Sequence, residues 1–232
     1  MLLQSVFQIG CLIPVSRENR VTSSTQENGK QQKKSVFREY AEAIIIALAL
    51  ALFIRTFVVQ AFKIPSGSMI PTLLVGDHIL VNKFIYGIKN PFTGKVIVPI
   101  EDIERKDIIV FKYPLNPDQD FIKRVIGLPG DRIEIKNKEV FVNSEPFVVK
   151  NAIFQNPVII PAPLEPRDNL GPLTVPPHSY FVMGDNRDNS HDSRFWGFVP
   201  QEAVKGKAFI LYWSWDRENF SVRWTRIGKL VE

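Results

Sequence analysis

Two serines separated by one glycine, Ser66 and Ser68, stand in the run Ile64-Pro65-Ser66-Gly67-Ser68-Met69-Ile70-Pro71-Thr72-Leu73. A serine hydroxyl attacks a carbonyl only when a base takes its proton and hydrogen-bond donors receive the oxyanion. Pro and Gly around the pair favour a fixed, exposed turn that can present one hydroxyl and aim backbone N–H groups. Alone, the segment also reads as a linker. A base is available in a second run, Asp120-Phe121-Ile122-Lys123-Arg124-Val125-Ile126-Gly127-Leu128-Pro129-Gly130-Asp131. Two adjacent cations in an apolar strand need a reason, because burying an unpaired charge is costly. At period two, Lys123 shares a face with Phe121 and Val125, and Arg124 shares the other with Ile122 and Ile126. Arginine keeps its proton in proteins, whereas a desolvated lysine falls below its reference pKa of roughly 10.4 and can serve as a base. The bland alternative is an edge strand with both cations in water.

A third run, Gly184-Asp185-Asn186-Arg187-Asp188-Asn189-Ser190-His191-Asp192-Ser193-Arg194, is dense in small polar residues. It fits a hydrogen-bonded loop that buttresses a site, with Arg–carboxylate pairs fixing its shape. A calcium loop is the rival, but the arginines compete for the carboxylates and the ligand alternation of an EF-hand is missing. No metal and no cofactor are expected. The three histidines, His78, His178 and His191, offer one suggestive neighbour, His191 beside Asp192. Adjacent residues seldom orient each other as a triad requires.

The elements that must hold these runs are mostly strands. Asp77 to Val81, Asp107 to Phe111 and Asp120 to Ile126 are β-branched and aromatic, bounded by Gly, Pro or Asp. Arg132 to Ile135 and Glu139 to Val142 alternate at period two around Lys136-Asn137-Lys138, which predicts a hairpin. Residues 156–177 form a Pro-rich connection, too rich in Pro for helix or central strand. Ser179 to Met183 and Ala208 to Trp215 supply later strands. The expected class is mainly β: antiparallel sheets coiled into a barrel or sandwich.

Ahead of the strands lies an apolar stretch, Ala43 to Phe62, 20 residues with Arg55 as its one charge. A helix of that length reaches roughly 30 Å, the thickness of a bilayer core. The reading is a flexible tail over 1–35, a transmembrane anchor over 36–62, and an extracytoplasmic catalytic β-domain over 63–232 with an insertion around 132–177. Lys30, Lys33, Lys34 and Arg38 precede the span and only Lys63 closely follows it, which places the N-terminus in the cytoplasm. The expected home is the cell membrane, single-pass, with another energy-transducing or internal membrane left open.

Charge narrows the partners. The 29 basic residues are dispersed among 24 acidic ones, so the net +5 gives no patch of the kind that grips nucleic acid. A single Cys11 excludes an internal disulfide and a cysteine zinc site. The expected partners are precursor proteins bearing signal peptides, and membrane lipid.

The three runs together, in this order behind an apolar anchor, resemble the type I signal peptidases. Pro65-Ser66-Gly67-Ser68-Met69 is similar to the nucleophile box of that family, Phe121 to Asp131 to its lysine box, and Gly184 to Arg194 to its Gly-Asp-Asn-Arg-Asp-Asn-Ser signature. The resemblance implies an all-β coil of antiparallel sheets and a membrane-bound serine endopeptidase that cuts after Ala-x-Ala. It implies Ser68 as nucleophile, Lys123 as base and Ser66 as an oxyanion donor beside the Ser68 N–H. Ser190 would orient the lysine amine, and Asp192 and Arg194 would brace their loop. Ile64, Pro65, Met69, Phe121 and Ile122 are candidates for the substrate pockets. Two rivals stay in view: a tethered β-domain that binds peptides without cutting, and a self-cleaving regulator of the SOS-repressor kind.

Overall fold

The computed structural model describes residues 36–53, 58–89 and 96–232. The expected tail over 1–35, and residues 54–57 of the expected anchor, lie outside the described residues. A helix, α1, spans Val36–Phe53. Its Ala- and Leu-rich sequence has high helix propensity, and Glu39 in its first turn complements the helix dipole. Arg38 and Glu42 pair one turn apart at 3.0 Å. Ile44, Ile45, Ile46, Leu48, Leu50, Leu52 and Phe53 are all exposed. No helix among the described residues is long and apolar enough to cross a membrane. Arg38, Glu39 and Glu42 occupy the first turns of α1, and its 18 residues reach only about 27 Å.

The helix does not run on to Phe62, as the apolar run predicts. Val59–Lys63 is a strand, β1, paired antiparallel with β2 (Asp77–Asn82) from Val59↔Asn82 to Lys63↔His78. The segment carries a β-branched and an aromatic residue, Val59 and Phe62, and the edge of β2 offers a ladder for the backbone groups.

The chain continues through β3 (Ile88–Lys89), β4 (Val96–Val98), β5 (Ile108–Tyr113), β6 (Asn116–Gly127), β7 (Arg132–Lys136), β8 (Glu139–Val142), β9 (Glu145–Pro146), β10 (Leu170–Thr174) and β11 (Ser179–Met183). A one-turn helix, α2 (Ser193–Trp196), precedes β12 (Val199–Pro200), β13 (Val204–Asp216) and β14 (Ser221–Val222). The main sheet runs β1-β2-β13-β5-β6-β11-β12, with β14 on β13; β10-β7-β8-β9 form a second sheet and β3-β4 a third. The pairings between these strands are antiparallel, which establishes a mainly β fold of antiparallel sheets.

The core divides along strand faces. On β5, Ile108 and Val110 join Ile64, Met69, Leu73 and Val81, whereas Ile109 and Phe111 join Val125, Tyr180 and Val182. Both faces of β5 are therefore buried, and each such side chain contributes about 1.5–3 kcal/mol. A third cluster, with Ile126, Ile133, Val140 and Phe181, couples the second sheet to the far face of β6 and β11. The expected hairpin is present as β7–β8, turning at Asn137 and Lys138 with φ 49° and 74°, the pair of positive angles a two-residue type I′ turn requires. The Pro-rich connection, which has no helix and no central strand, does contain one short strand, β10. It lies at the edge of its sheet, and Pro172 falls where the register to β7 shifts between Leu170 and Leu173. An edge or bulge is where a strand tolerates a residue without an N–H.

Candidate active site

The nucleophile turn is pinned from both ends. The Ile64 N–H donates to Asp77 O at 2.8 Å and Gly76 N–H returns a bond to Ile64 O at 3.0 Å, joining the turn to the start of β2. Ile64, Met69 and Leu73 are buried in the core beneath it. Of the pocket candidates, Ile64 and Met69 are buried beneath the turn, and Pro65, Phe121 and Ile122 are among the residues that line the cleft. Between Ile64 and Met69, Ser68 presents its hydroxyl to β6 and is itself buried. Buried Asp77 holds the turn from below, accepting Leu74 N–H at 2.8 Å, Ser214 Oγ at 2.6 Å and Arg226 Nη2 at 2.6 Å.

Lys123 lies on the part of β6 that passes from solvent into the core, and only 4% of it is accessible. Its Nζ stands 2.7 Å from Ser68 Oγ and 3.1 Å from Ile122 O, with the Phe121 ring centroid at 5.3 Å. Burial, opposed by Asp192 and Asp185 and reinforced by Arg194, brings the amine down to about 8. As an ammonium, Lys123 donates to Ser68 Oγ. As a neutral amine, its lone pair can accept the hydroxyl proton over the same distance.

The third run closes the site. Asn186 N–H donates to Ser68 O at 3.1 Å and Asn186 Nδ2 to Gly67 O at 3.2 Å, so this loop grips the main chain of the nucleophile. Gly184 permits the approach: a Cβ there would lie 2.2 Å from Ser190 Oγ and 2.4 Å from Ser68 O. Asp192 and Arg194 pair bidentately at 2.8 Å for each bond, and Arg194 also donates to Arg187 O and Arg167 O. Burial alone would raise the Asp192 carboxyl, but Arg194 and the Gly184 N–H hold it below the usual carboxylate range. Ser190 is buried, yet among the described residues its Oγ makes no hydrogen bond, to Lys123 or to any other group. It stands near enough to Asp192 to favour the carboxylate charge, without the alignment of a hydrogen bond.

The partner of Arg124 is legible only in three dimensions. Lys123 and Arg124 point to opposite faces, and Arg124 is bound bidentately to Asp185 at 2.8 and 2.7 Å, both side chains almost wholly buried. Thr72 Oγ1 donates to the same carboxylate. The nucleophile turn, β6 and the third run thus meet at Asp185. The signal in sequence was the unexplained second cation; its carboxylate lies 61 residues away.

Ser66 and Ser68 open with Lys123 onto one cleft of about 470 Å³, walled by Pro65, Phe121 and Ile122 and rimmed by Asp120, Asn186, Asn189 and His191. His191 stacks on Phe195 at 5.2 Å and reaches Tyr113 OH at 3.4 Å; it is Lys123 that bonds to Ser68. The three aspartates weighed as calcium ligands each face a different cation: Asp185 faces Arg124, Asp188 faces Lys138 and Asp192 faces Arg194.

The family model described as signal peptidase, peptidase S26, matches residues 37–213. A signal peptidase I of Pseudomonas aeruginosa is 38% identical over 86% of this chain and 81% of its own. A signal peptidase I of Aquifex aeolicus is 37% identical over 76% of this chain and 84% of its own. A solved signal peptidase I from Enterococcus faecalis shares 33% identity, covering 46% of this chain and 97% of that one with a TM-score of 0.38.

Proposed function

The chain belongs to the signal peptidase family, peptidase S26, and we propose that it removes signal peptides from exported precursors with Ser68 as nucleophile and Lys123 as general base. Members of this family are serine proteases, so the reaction class is hydrolysis of a peptide bond. The observation that carries the assignment of residues is the 2.7 Å contact between Ser68 Oγ and a buried Lys123 amine. Neutral Lys123 takes the hydroxyl proton as Oγ attacks the carbonyl carbon before the cut. The oxyanion is received by the Ser66 hydroxyl and the Ser68 N–H. The ammonium returns its proton to the leaving amine, which breaks the C–N bond and leaves an ester on Ser68. Lys123 then takes a proton from water, hydroxide attacks the ester, and Ser68 Oγ leaves with that proton. While Ser68 is acylated the amine lacks its partner, and Ser190 would orient it, as the family resemblance implies.

Apolar walls at Pro65, Phe121 and Ile122 are compatible with apolar substrate side chains such as the Ala of an Ala-x-Ala site, and the exposed apolar side chains of α1 fit a lipid surround. We read α1 as belonging to a single-pass anchor, N-terminus in the cytoplasm and the β-strands outside. Ser68 follows that anchor closely in sequence, as a cleavage site follows the apolar core of a signal peptide.

The test is cleavage of a precursor with an Ala-x-Ala site in detergent, by wild type, Ser68→Ala and Lys123→Ala, between about pH 6 and 10. Only the wild type should cut, with kcat/KM rising through an apparent pKa near 8. Full activity in either variant overturns the dyad. Replacing the Ala before the cut with Phe should abolish cleavage; unchanged processing removes the small-residue pocket.

A further inference from the structure

We propose that Lys138, at the tip of the β7–β8 hairpin, is a positioning residue for the reaction: it holds the catalytic loop over 186–190 in the place that the Ser68–Lys123 pair needs. The proposal rests on the dyad reading above. Lys138 is not among the residues that line the cleft, so any effect it has on turnover passes through other groups. The two positive φ angles of the turn aim its side chain toward the loop, where Nζ contacts the Asp188 carboxylate directly and donates to Asn156 O at 2.9 Å. The side chain of Lys138 is 11% accessible and that of Asp188 3%. Asp188 also accepts the N–H groups of Gln155 and Asn156 at 2.6 and 2.7 Å. Burial alone would raise this carboxyl, but those donors hold it below the usual range, so it stays charged.

From Asp188 the connection runs to the nucleophile without a gap. Asn189 Nδ2 donates to Gln155 Oε1 at 2.7 Å and to Asn186 Oδ1 at 3.3 Å. Asn186 in turn donates to Gly67 O and Ser68 O. The loop has little means of holding itself: Arg187–Asn189 is a single 3₁₀ turn whose N-terminal residue, Asn186, makes no side-chain cap, and such turns are weakly self-supporting. Its position is therefore set by what it is tied to: Arg194 holds Arg187 O at 2.6 Å, Arg187 N–H bonds Ile153 O at 3.0 Å, and at Asp188 the closest cation is Lys138, with Arg167 at 3.7 Å. This gives the second sheet, which carries no residue of the dyad, a part in catalysis.

The experiment uses the full chain in detergent and measures kcat and KM per folded molecule, with folding followed by near-UV circular dichroism. Lys138→Met should lower kcat about tenfold or more while KM stays within about 3-fold, the pattern of a lost transition-state geometry. Lys138→Arg keeps the charge and should recover most of the loss. Gln155→Ala, at an exposed side chain, should leave stability unchanged and lower kcat about 3-fold; it decides the matter if Lys138→Met fails to fold. Wild-type kcat in folded Lys138→Met, or in Gln155→Ala where that variant decides, overturns the proposal, as does a rise in KM with kcat unchanged. Retained activity in Ser68→Ala would instead sink the dyad, a result these variants cannot mimic.

Discussion

The amine of Lys123 titrates near 8 in the fold against 10.5 for the free group. Across that window the unfolded chain binds a proton that the fold does not. Stability therefore rises with pH between the two values, and the penalty is fully present below about pH 8. Lys123→Met, similar in volume, should gain about 3 kcal/mol near pH 7 and lose that advantage above about pH 10.5, while activity disappears. Urea unfolding at the two pH values checks it; an equal difference at both would detach the buried charge from stability. Gly184 gives a second expectation at this scale. Its Cβ would meet the Ser68 carbonyl, which is main chain and cannot swing aside. Gly184→Ala should lower kcat by about 10²-fold, as a displacement of roughly 1 Å at a reacting group does, and steady-state cleavage by the folded variant measures it.

At the scale of elements, the Arg124–Asp185 pair ties the middle of β6 to the loop after β11. Arg124→Met strands a buried carboxylate and should cost about 3–5 kcal/mol of stability, whereas Arg124→Met with Asp185→Asn should recover part of it. Urea midpoints of the two variants compare them, and equal losses would remove the pairing as the cause. The strands near Asp77, Ile108, Lys123 and Tyr180 were legible because apolar alternation and turn residues are local signals, and the β7–β8 hairpin was legible for the same reason. Other features were not. The end of α1 was missed because Val58 to Phe62 is as apolar as the helix before it, and only the ladder to β2 selects strand. β10 was hidden by its prolines, which an edge position tolerates. Within the nucleophile run, Pro65 reaches the cleft while Ile64 and Met69 turn inward. That division depends on hydrogen bonds to Asp77 and on the core beneath, not on residue type.

For the molecule as a whole, the β-strands bury apolar residues in three clusters, with Ile97, Val98, Tyr212 and Trp213 left exposed, whereas α1 leaves its large apolar side chains exposed from Ile44 to Phe53. A chain starting at Val58 keeps β1 and should fold and cut a short soluble peptide within about 2-fold of the full protein. Against a precursor embedded in vesicles it should lose roughly 10²-fold in kcat/KM, because sharing one membrane replaces free encounter with a high effective concentration. Equal loss on both substrates would mean that the N-terminal segment supports the fold and not the encounter.

The opposed facing of Lys123 and Arg124 has a consequence for how this sequence can change. A slip of β6 by one position against β5 would set either Arg124 or Ile122 beside Ser68 and take the amine away from it, preserving composition, charge and strand. Exchange of the two side chains, Lys123→Arg with Arg124→Lys, would put the guanidinium at the serine and the amine at Asp185 without moving the backbone. The resulting protein would present a permanent cation to Ser68 and have no group there able to shed a proton. In this strand single-codon insertions and deletions are therefore all-or-none events, and phase along the chain is inherited as strictly as the residues themselves.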